Sequence, residues 1–332
     1  MLPCTRCYHT SVGEPPLKGL TDIPGLLVGH VSDLDALTGC TVVLCERGAV
    51  GGVDVRGSAT GTEEFGLFDP MHVTERINAL VFAGGSAFGL EAASGVRRYL
   101  EHKGIGVSTP AGPVPLVPAA ILYDLSIGRK HVRPTREMGE IAASYASSKP
   151  VQEGAVGAGT GATVGKLFGI ERAMKSGVGS FTVTLPGGVL VSSLAAVNAF
   201  GDVIEPGTGK IVAGARVSAG SPDFANSARA MQNGATGDFV HQNTTLVLVA
   251  TNAKLSKAGA GKLAQFGSLG VARTISPVWT MFDGDVVVGL SAGDRTADLN
   301  ALGVAAAEAV SQAILRAVRL APSLGGVPGL KS

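Results

Sequence analysis

Asn243-Thr244-Thr245-Leu246-Val247-Leu248-Val249-Ala250-Thr251 is the stretch on which the fold turns. From Thr244 onward every residue is apolar or β-branched, the composition of a strand buried on both faces. The residues before it are different in kind. Residues 221–243 are rich in Asn, Ser, Gly and Ala and read as loop, with room for one short helix. A strand buried on both faces needs a layer above and a layer below.

The neighbours of that strand are legible from the same periodicities. Residues 41–45 and 80–83 are apolar runs of strand length. Gly84-Gly85-Ser86 then opens a helix over 87–102, with Phe88, Leu90, Ala92, Val96 and Leu100 near helical spacing and Arg97, Arg98 and Glu101 elsewhere. A buried strand is expected over 118–125. A helix is expected over 135–147, capped by Thr135 with Glu137 in its first turn. Glycine then crowds 154–165. Two strands, 181–185 and 189–197, meet at Pro186-Gly187-Gly188, a hairpin turn. Downstream lie a helix over 253–266, a strand over 285–290 and an alanine-rich helix over 297–320. The mixture reads as layered α/β: sheets flanked by helices.

Bulk properties narrow the function. The chain has 332 residues, 45% of them hydrophobic and 16% charged, enough for a large core. Aromatics make up 5% while glycine numbers 48, so that core is built from small aliphatic residues on closely spaced backbones. Lys and Arg number 27 against 26 Asp and Glu, and no basic run stands out, which argues against nucleic acid as a partner. Residues 104–123 and 177–201 are free of charge or nearly so, but prolines and glycines break both. Glu308, Arg316 and Arg319 argue against a span in the last helix. No membrane partner and a cytoplasmic location are therefore expected. Residues 1–18 read as a tail, and its Cys4-x-x-Cys7 lacks a second metal-binding pair, so reduced thiols are the plainer reading. Gly157-x-Gly159-x-Gly161 falls short of a dinucleotide fingerprint, and no phosphate-binding G-x-x-x-x-G-K-[ST] occurs. No cofactor and no metal are expected.

A threonine at the head of a buried strand has a chemical use. Its hydroxyl is a weak nucleophile that needs a base. If the bond between Asn243 and Thr244 is cut, Thr244 acquires an α-amine beside its own Oγ, with an ordinary pKa of about 7.7–8.0. The plainer reading of Thr244 and Thr245 is as ordinary β-branched strand residues.

The junction, followed by its apolar run, resembles the self-cleavage site of the L-aminopeptidase/D-esterase family, N-terminal nucleophile hydrolases that include the nylon-oligomer hydrolases. Other blocks resemble that family in the same order: residues 81–90 (Val-Phe-Ala-Gly-Gly-Ser-Ala-Phe-Gly-Leu), 118–125 (Pro-Ala-Ala-Ile-Leu-Tyr-Asp-Leu), 157–162, 272–275 and 281–285. The resemblance implies a four-layer α-β-β-α sandwich. It implies a single catalytic domain, 19–332, cut into an α fragment, 19–243, and a β fragment, 244–332. The fragments would stay together in a homo-oligomer, a dimer or tetramer of αβ units, acting on a small amide substrate.

The resemblance also implies roles for particular residues. Thr244 is the nucleophile and Asn243 ends the first fragment. Asp283 and Asp285 form an acidic pair suited to hold an ammonium and move protons; on local sequence, Asp-Gly is equally a solvated turn. Asn198 falls where the family has an oxyanion donor, and is otherwise a turn residue. Lys166 follows the glycine loop, where nylon hydrolases have a functional lysine, and Lys175 is a second candidate. Tyr123 offers a phenol, or simply packs in the core. Asp124 and the six histidines carry no comparable signal. The aminopeptidase branch has serine both as nucleophile and as first member of the pair. Thr244 and Asp283 place this chain nearer the threonine-type members, which include nylon-oligomer hydrolases and a pantetheine-type amide hydrolase. A competing reading is an uncut, non-catalytic oligomeric binding protein on the same scaffold.

Overall fold

The computed structural model describes residues 18–237 and 243–331. The expected tail and its Cys4 and Cys7 lie outside them. The organising element is a nine-stranded mixed sheet that folds over on itself. Its hinge is one long strand, Thr38–Val55, whose pairing register shifts between Leu44 and Ala49. The first part of that strand pairs with Leu27–Asp33 and Arg76–Ala83, and the last part with Val286–Arg295. Two sheet halves therefore face each other, and one strand belongs to both.

The strand Thr244–Ala253 lies between Val189–Asn198, antiparallel, and Val286–Arg295, parallel. All ten of its residues are buried. Alternation sorts them by face. Leu246, Leu248 and Ala250 point into the core between the sheet halves, where Val43, Leu80, Phe82 and Leu122 come from the other half. Val247 and Val249 point the other way, against the helices Lys257–Thr274 and Leu299–Arg319. On the outer face of the other half, Glu91–His102 and Arg136–Tyr145 cover Val42, Leu44, Ala79 and Val81. This is the expected α-β-β-α sandwich. The helix Leu299–Arg319 is long and apolar enough to cross a membrane, but here most of its apolar residues are packed into the core and Val304 is exposed.

Glycine sets how closely the outer helices approach. A Cβ on Gly95 would lie 1.8 Å from the carbonyl oxygen of Arg136, and one on Gly139 would lie 1.9 Å from that of Ala92. The pair lets the two backbones touch.

Several element bounds differ from the sequence expectation for local reasons. The helix expected from residue 87 begins as a 3-10 turn, Ser86–Leu90, because Gly85 enters it in the left-handed region at φ 78°. The strand expected over 118–125 pairs only over Ala119–Ile121, and the chain then turns away to place Tyr123 and Asp124. The helix expected from 253 starts at Lys257, capped by Ser256 Oγ accepting from Gly259 N, because the strand before it runs on through Ala253. That helix continues to Thr274 because Gly267 and Gly270 sit where it meets Val287 and Val310. The Thr135 cap, the hairpin at Pro186–Gly188 and the short helix in the polar stretch, Ser227–Gln232, are as expected.

Candidate active site

The site lies at the N-terminal end of the central strand. Pairing with the neighbouring strand sets Thr244 opposite Asn198. On the other side an isolated parallel bridge joins Asn243 to Asp283, continuing the ladder in which Leu246 faces Val286. Register alone therefore gathers Asn243, Thr244, Asn198, Asp283 and Asp285, residues up to 87 positions apart in the chain (198 to 285). All five are buried, and Thr244 is 4% exposed.

Thr244 Oγ donates to the carbonyl oxygen of Asn243 at 2.5 Å. The same carbonyl accepts from Gly284 N at 2.8 Å. The Asn243 side chain is held by its amide, which donates to Phe282 O at 3.4 Å. The hydroxyl and the peptide bond before it are thus confined together, out of contact with solvent.

The acidic pair flanks this junction from the facing strand. Asp285 Oδ1 accepts from Thr245 N at 2.6 Å. Asp283 accepts from Thr280 N and Thr280 Oγ at 2.9 and 2.7 Å, and from Phe200 N at 3.4 Å. Burial raises the pKa of both. The neighbouring Asp283 charge pushes Asp285 further, well above the ordinary carboxylate range, while Lys166 pulls Asp283 back. Two neighbouring buried carboxyls resist carrying two negative charges at once.

Lys166 is buried at 4% exposure, and its Nζ donates to both Asn198 O and Asn198 Oδ1 at 2.9 Å. Burial lowers its pKa to about 7, against the opposing pull of Asp283, Asp285 and Asp124. A lysine poised near neutrality can give or take a proton. Asn198 ties the cluster together. Its Oδ1 also accepts from Thr163 N at 3.0 Å, and its Nδ2 donates to Tyr123 O at 2.8 Å. One of its two amide hydrogens is therefore committed to Tyr123. Tyr123 enters through its main-chain carbonyl, where the sequence had suggested its phenol.

Lys175 is a different case. Its Nζ donates to the carbonyls of Gly159, Ala162 and Ser176 at 3.2, 2.7 and 2.7 Å. Carbonyls of the glycine loop close around the Lys175 amine, while a Cβ at Gly159 or Gly161 would lie 2.4 Å from the backbone of Gly177 or 2.2 Å from Leu37 O. Asp124, which carried no signal in the sequence, sits beneath the site. It accepts from Thr38 Oγ and Gly85 N at 2.7 Å each, and burial raises it to about 6. Its partners are remote in sequence, which is why periodicity could not find it. Gly284, wedged between the two aspartates, was also missed. Among the described residues no cluster of His, Cys, Asp and Glu is arranged to hold a metal. A surface cavity of about 480 Å³ lined by Arg47, Arg76 and Arg295 lies at the far end of the central strand, away from Thr244.

A buried hydroxyl against a strand-end peptide bond, beside two carboxyls and a lysine, is an arrangement for acyl chemistry. Comparison with known proteins agrees: the model of peptidase family S58 matches residues 18–332. The chain belongs to peptidase family S58. A Mycobacterium leprae relative described as an uncharacterized aminopeptidase is 37% identical over 344 residues, spanning 94% of this chain and 93% of its own length. A 6-aminohexanoate-oligomer endohydrolase of a Kocuria species is 29% identical, over 93% of this chain and 88% of its own. Among solved structures, the L-aminopeptidase D-Ala-esterase/amidase of Ochrobactrum anthropi, described as a variant of the Ntn hydrolase fold, superposes with a TM-score of 0.69. It is 19% identical, and the match covers 94% of this chain and 88% of that one. As an S58 member with this fold, the chain is an amide-bond hydrolase.

Proposed function

We propose that this S58 chain cuts itself between Asn243 and Thr244 and then works as an N-terminal threonine amidohydrolase on small peptides, amino-acid amides or oligoamides. The observation that carries the reading is the contact of Thr244 Oγ with the Asn243 carbonyl at 2.5 Å inside a closed, buried junction. Attack by Oγ on that carbonyl gives an ester and frees the Thr244 amine, and water then hydrolyses the ester. In the cut enzyme the freed amine is the base for its own hydroxyl. It takes the Oγ proton while Oγ attacks the substrate carbonyl, then passes that proton to the leaving amine. Asp283 and Asp285 hold the ammonium form, and Lys166 offsets the developing negative charge.

A preference for oligoamides draws on the endohydrolase relative. The test is a substrate panel of amino-acid p-nitroanilides, β-peptides and 6-aminohexanoate oligomers, assayed with the wild-type chain and Thr244→Ala. The expected result is amine release by wild type only, fastest on the oligoamides. Equal turnover by Thr244→Ala removes the proposed nucleophile.

A further inference from the structure

We infer that the main-chain N–H of Gly284 is the oxyanion donor for the break at Asn243-Thr244, and that the absent side chain at 284 gives Thr244 Oγ the room to attack. The inference rests on the self-cleavage reading above and supplies what that reading lacks. Before the cut Thr244 has no amine to act as its own base, so stabilising the charge that develops on the electrophile carries added weight.

The donor is already in place. Gly284 N lies 2.8 Å from Asn243 O, within the range for a donor facing a developing alkoxide. The bond follows from the parallel register that pairs Asn243 with Asp283, so the sheet itself positions it. As the Oγ–C bond forms, the carbonyl oxygen becomes an alkoxide, and a hydrogen bond to an ionised acceptor is roughly twice as strong as one to a neutral acceptor. Asn243 is 1% exposed, so solvent is not there to stabilise the charge instead. The proton leaves Oγ and ends on Thr244 N as the C–N bond breaks. The product is an ester between Asn243 and Thr244 Oγ with a free amine. One water then cleaves the ester, restoring the hydroxyl and leaving an Asn243 carboxylate.

The second half of the inference is steric. A Cβ at 284 would lie 2.7 Å from Thr244 Oγ and 2.6 Å from Ala59 O. Ala59 cannot easily retreat. Its own N donates to Asp283 O at 3.0 Å, and Arg56 N and Gly57 N both donate to Asp285 O, at 3.2 and 3.0 Å. The 56–59 loop is laced to the strand that carries Gly284, so a new methyl group would displace the nucleophile.

The experiment is cell-free synthesis of the full chain with glycolic acid at position 284, which replaces the amide N–H by an ester oxygen. A second chain carries 2-hydroxyisovaleric acid at Val288, buried deeper in the same ladder. The fraction cut is followed with time on denaturing gels. We expect cutting to slow by about 100-fold or more at 284, and to stay within a few-fold of wild type at 288. Gly284→Ala is also expected to cut at least tenfold more slowly. Equal rates for the 284 and 288 esters, fast or slow, overturn the donor role, and wild-type cutting by Gly284→Ala overturns the steric role. An unmodified chain that stays whole overturns the self-cleavage reading, and this inference with it; an unmodified chain that cuts leaves the esters to decide the inference alone.

Discussion

At the scale of single residues, the site depends on buried polar groups that satisfy one another. Lys166 is the clearest case, a lysine held near neutrality by burial and aimed by both oxygens of Asn198. Lys166→Met keeps the volume but removes the charge and the donor. It is expected to lower both the rate of chain cutting and turnover of a p-nitroanilide by at least tenfold, about 1.4 kcal/mol or more of barrier, with little change in circular dichroism. Retained turnover would reduce Lys166 to a structural tie. Asp285 makes a separate point. Its bond to Thr245 N at 2.6 Å satisfies a buried amide, and its carboxyl is held toward the neutral form. Asp285→Ala orphans that amide and is expected to cost about 1–3 kcal/mol of stability. The near-isosteric Asp285→Asn keeps an acceptor and is expected to cost less. Urea titration of both variants on a Thr244→Ala background measures the difference.

At the scale of elements, backbone contact between helices is the feature most open to test. A side chain on Gly95 or Gly139 has nowhere to go, because the facing carbonyls lie within 2 Å of its Cβ position. Gly95→Val is expected to destabilise by about 1–3 kcal/mol or more, read as a lower midpoint in urea. How legible each element was follows from where its signal resides. The strand Thr244–Ala253 and the cap at Thr135 were readable because their signals are local: an unbroken apolar run, and a hydroxyl three residues before Met138 N. The fold-over of the sheet at Thr38–Val55 was not readable. An 18-residue strand that serves two sheet halves looks in sequence like a short strand followed by glycine-rich loop. The site divides in the same way. Thr244, Asn198, Lys166 and the aspartates were singled out through the family resemblance; strand register gathers all of them but Lys166, which joins through its bonds to Asn198. Asp124 and Gly284 escaped because their roles are defined by partners far away in sequence, Thr38 and Gly85 for the one, Asn243 and Thr244 for the other.

At the scale of the whole molecule, the sheet explains how a cut chain would stay in one piece. The strands Thr244–Ala253 and Val286–Arg295, both from the smaller fragment, lie between Val189–Asn198 and Thr38–Val55 of the larger one. After cutting, the two fragments remain joined by two full strand ladders and the shared core. Gel filtration in native buffer is expected to show them co-eluting, separating only in denaturant. Buried charge gives the molecule a second global signature. Lys166 and Lys175 sit near pKa 7 in the fold against an ordinary 10.5, both lowered by burial. Between about pH 7 and 10.5 the unfolded chain therefore holds protons that the folded chain has lost, and stability rises with pH across that window, by up to about 1.4 kcal/mol per unit for each lysine. Below pH 7 their contribution is constant. Asp124 is raised from 3.8 to about 6, so in the fold it keeps a proton the unfolded chain has lost, and stability falls as pH rises from about 4 to 6. Burial also lowers His30 from 6.5 to about 4, which raises stability with pH over the same acid range and opposes Asp124. Urea titrations of uncut Thr244→Ala are therefore expected to read the lysines most clearly, as a rise in stability above about pH 7 that Lys175→Met flattens.

In the proposed function the working nucleophile is a threonine with a free amine. Denaturing mass spectrometry of purified, catalytically active wild-type protein tests it most directly. Two chains are expected from wild type, the smaller beginning at Thr244, and one uncut chain from Thr244→Ala. Full activity in a preparation whose only mass is that of the unbroken chain would contradict it.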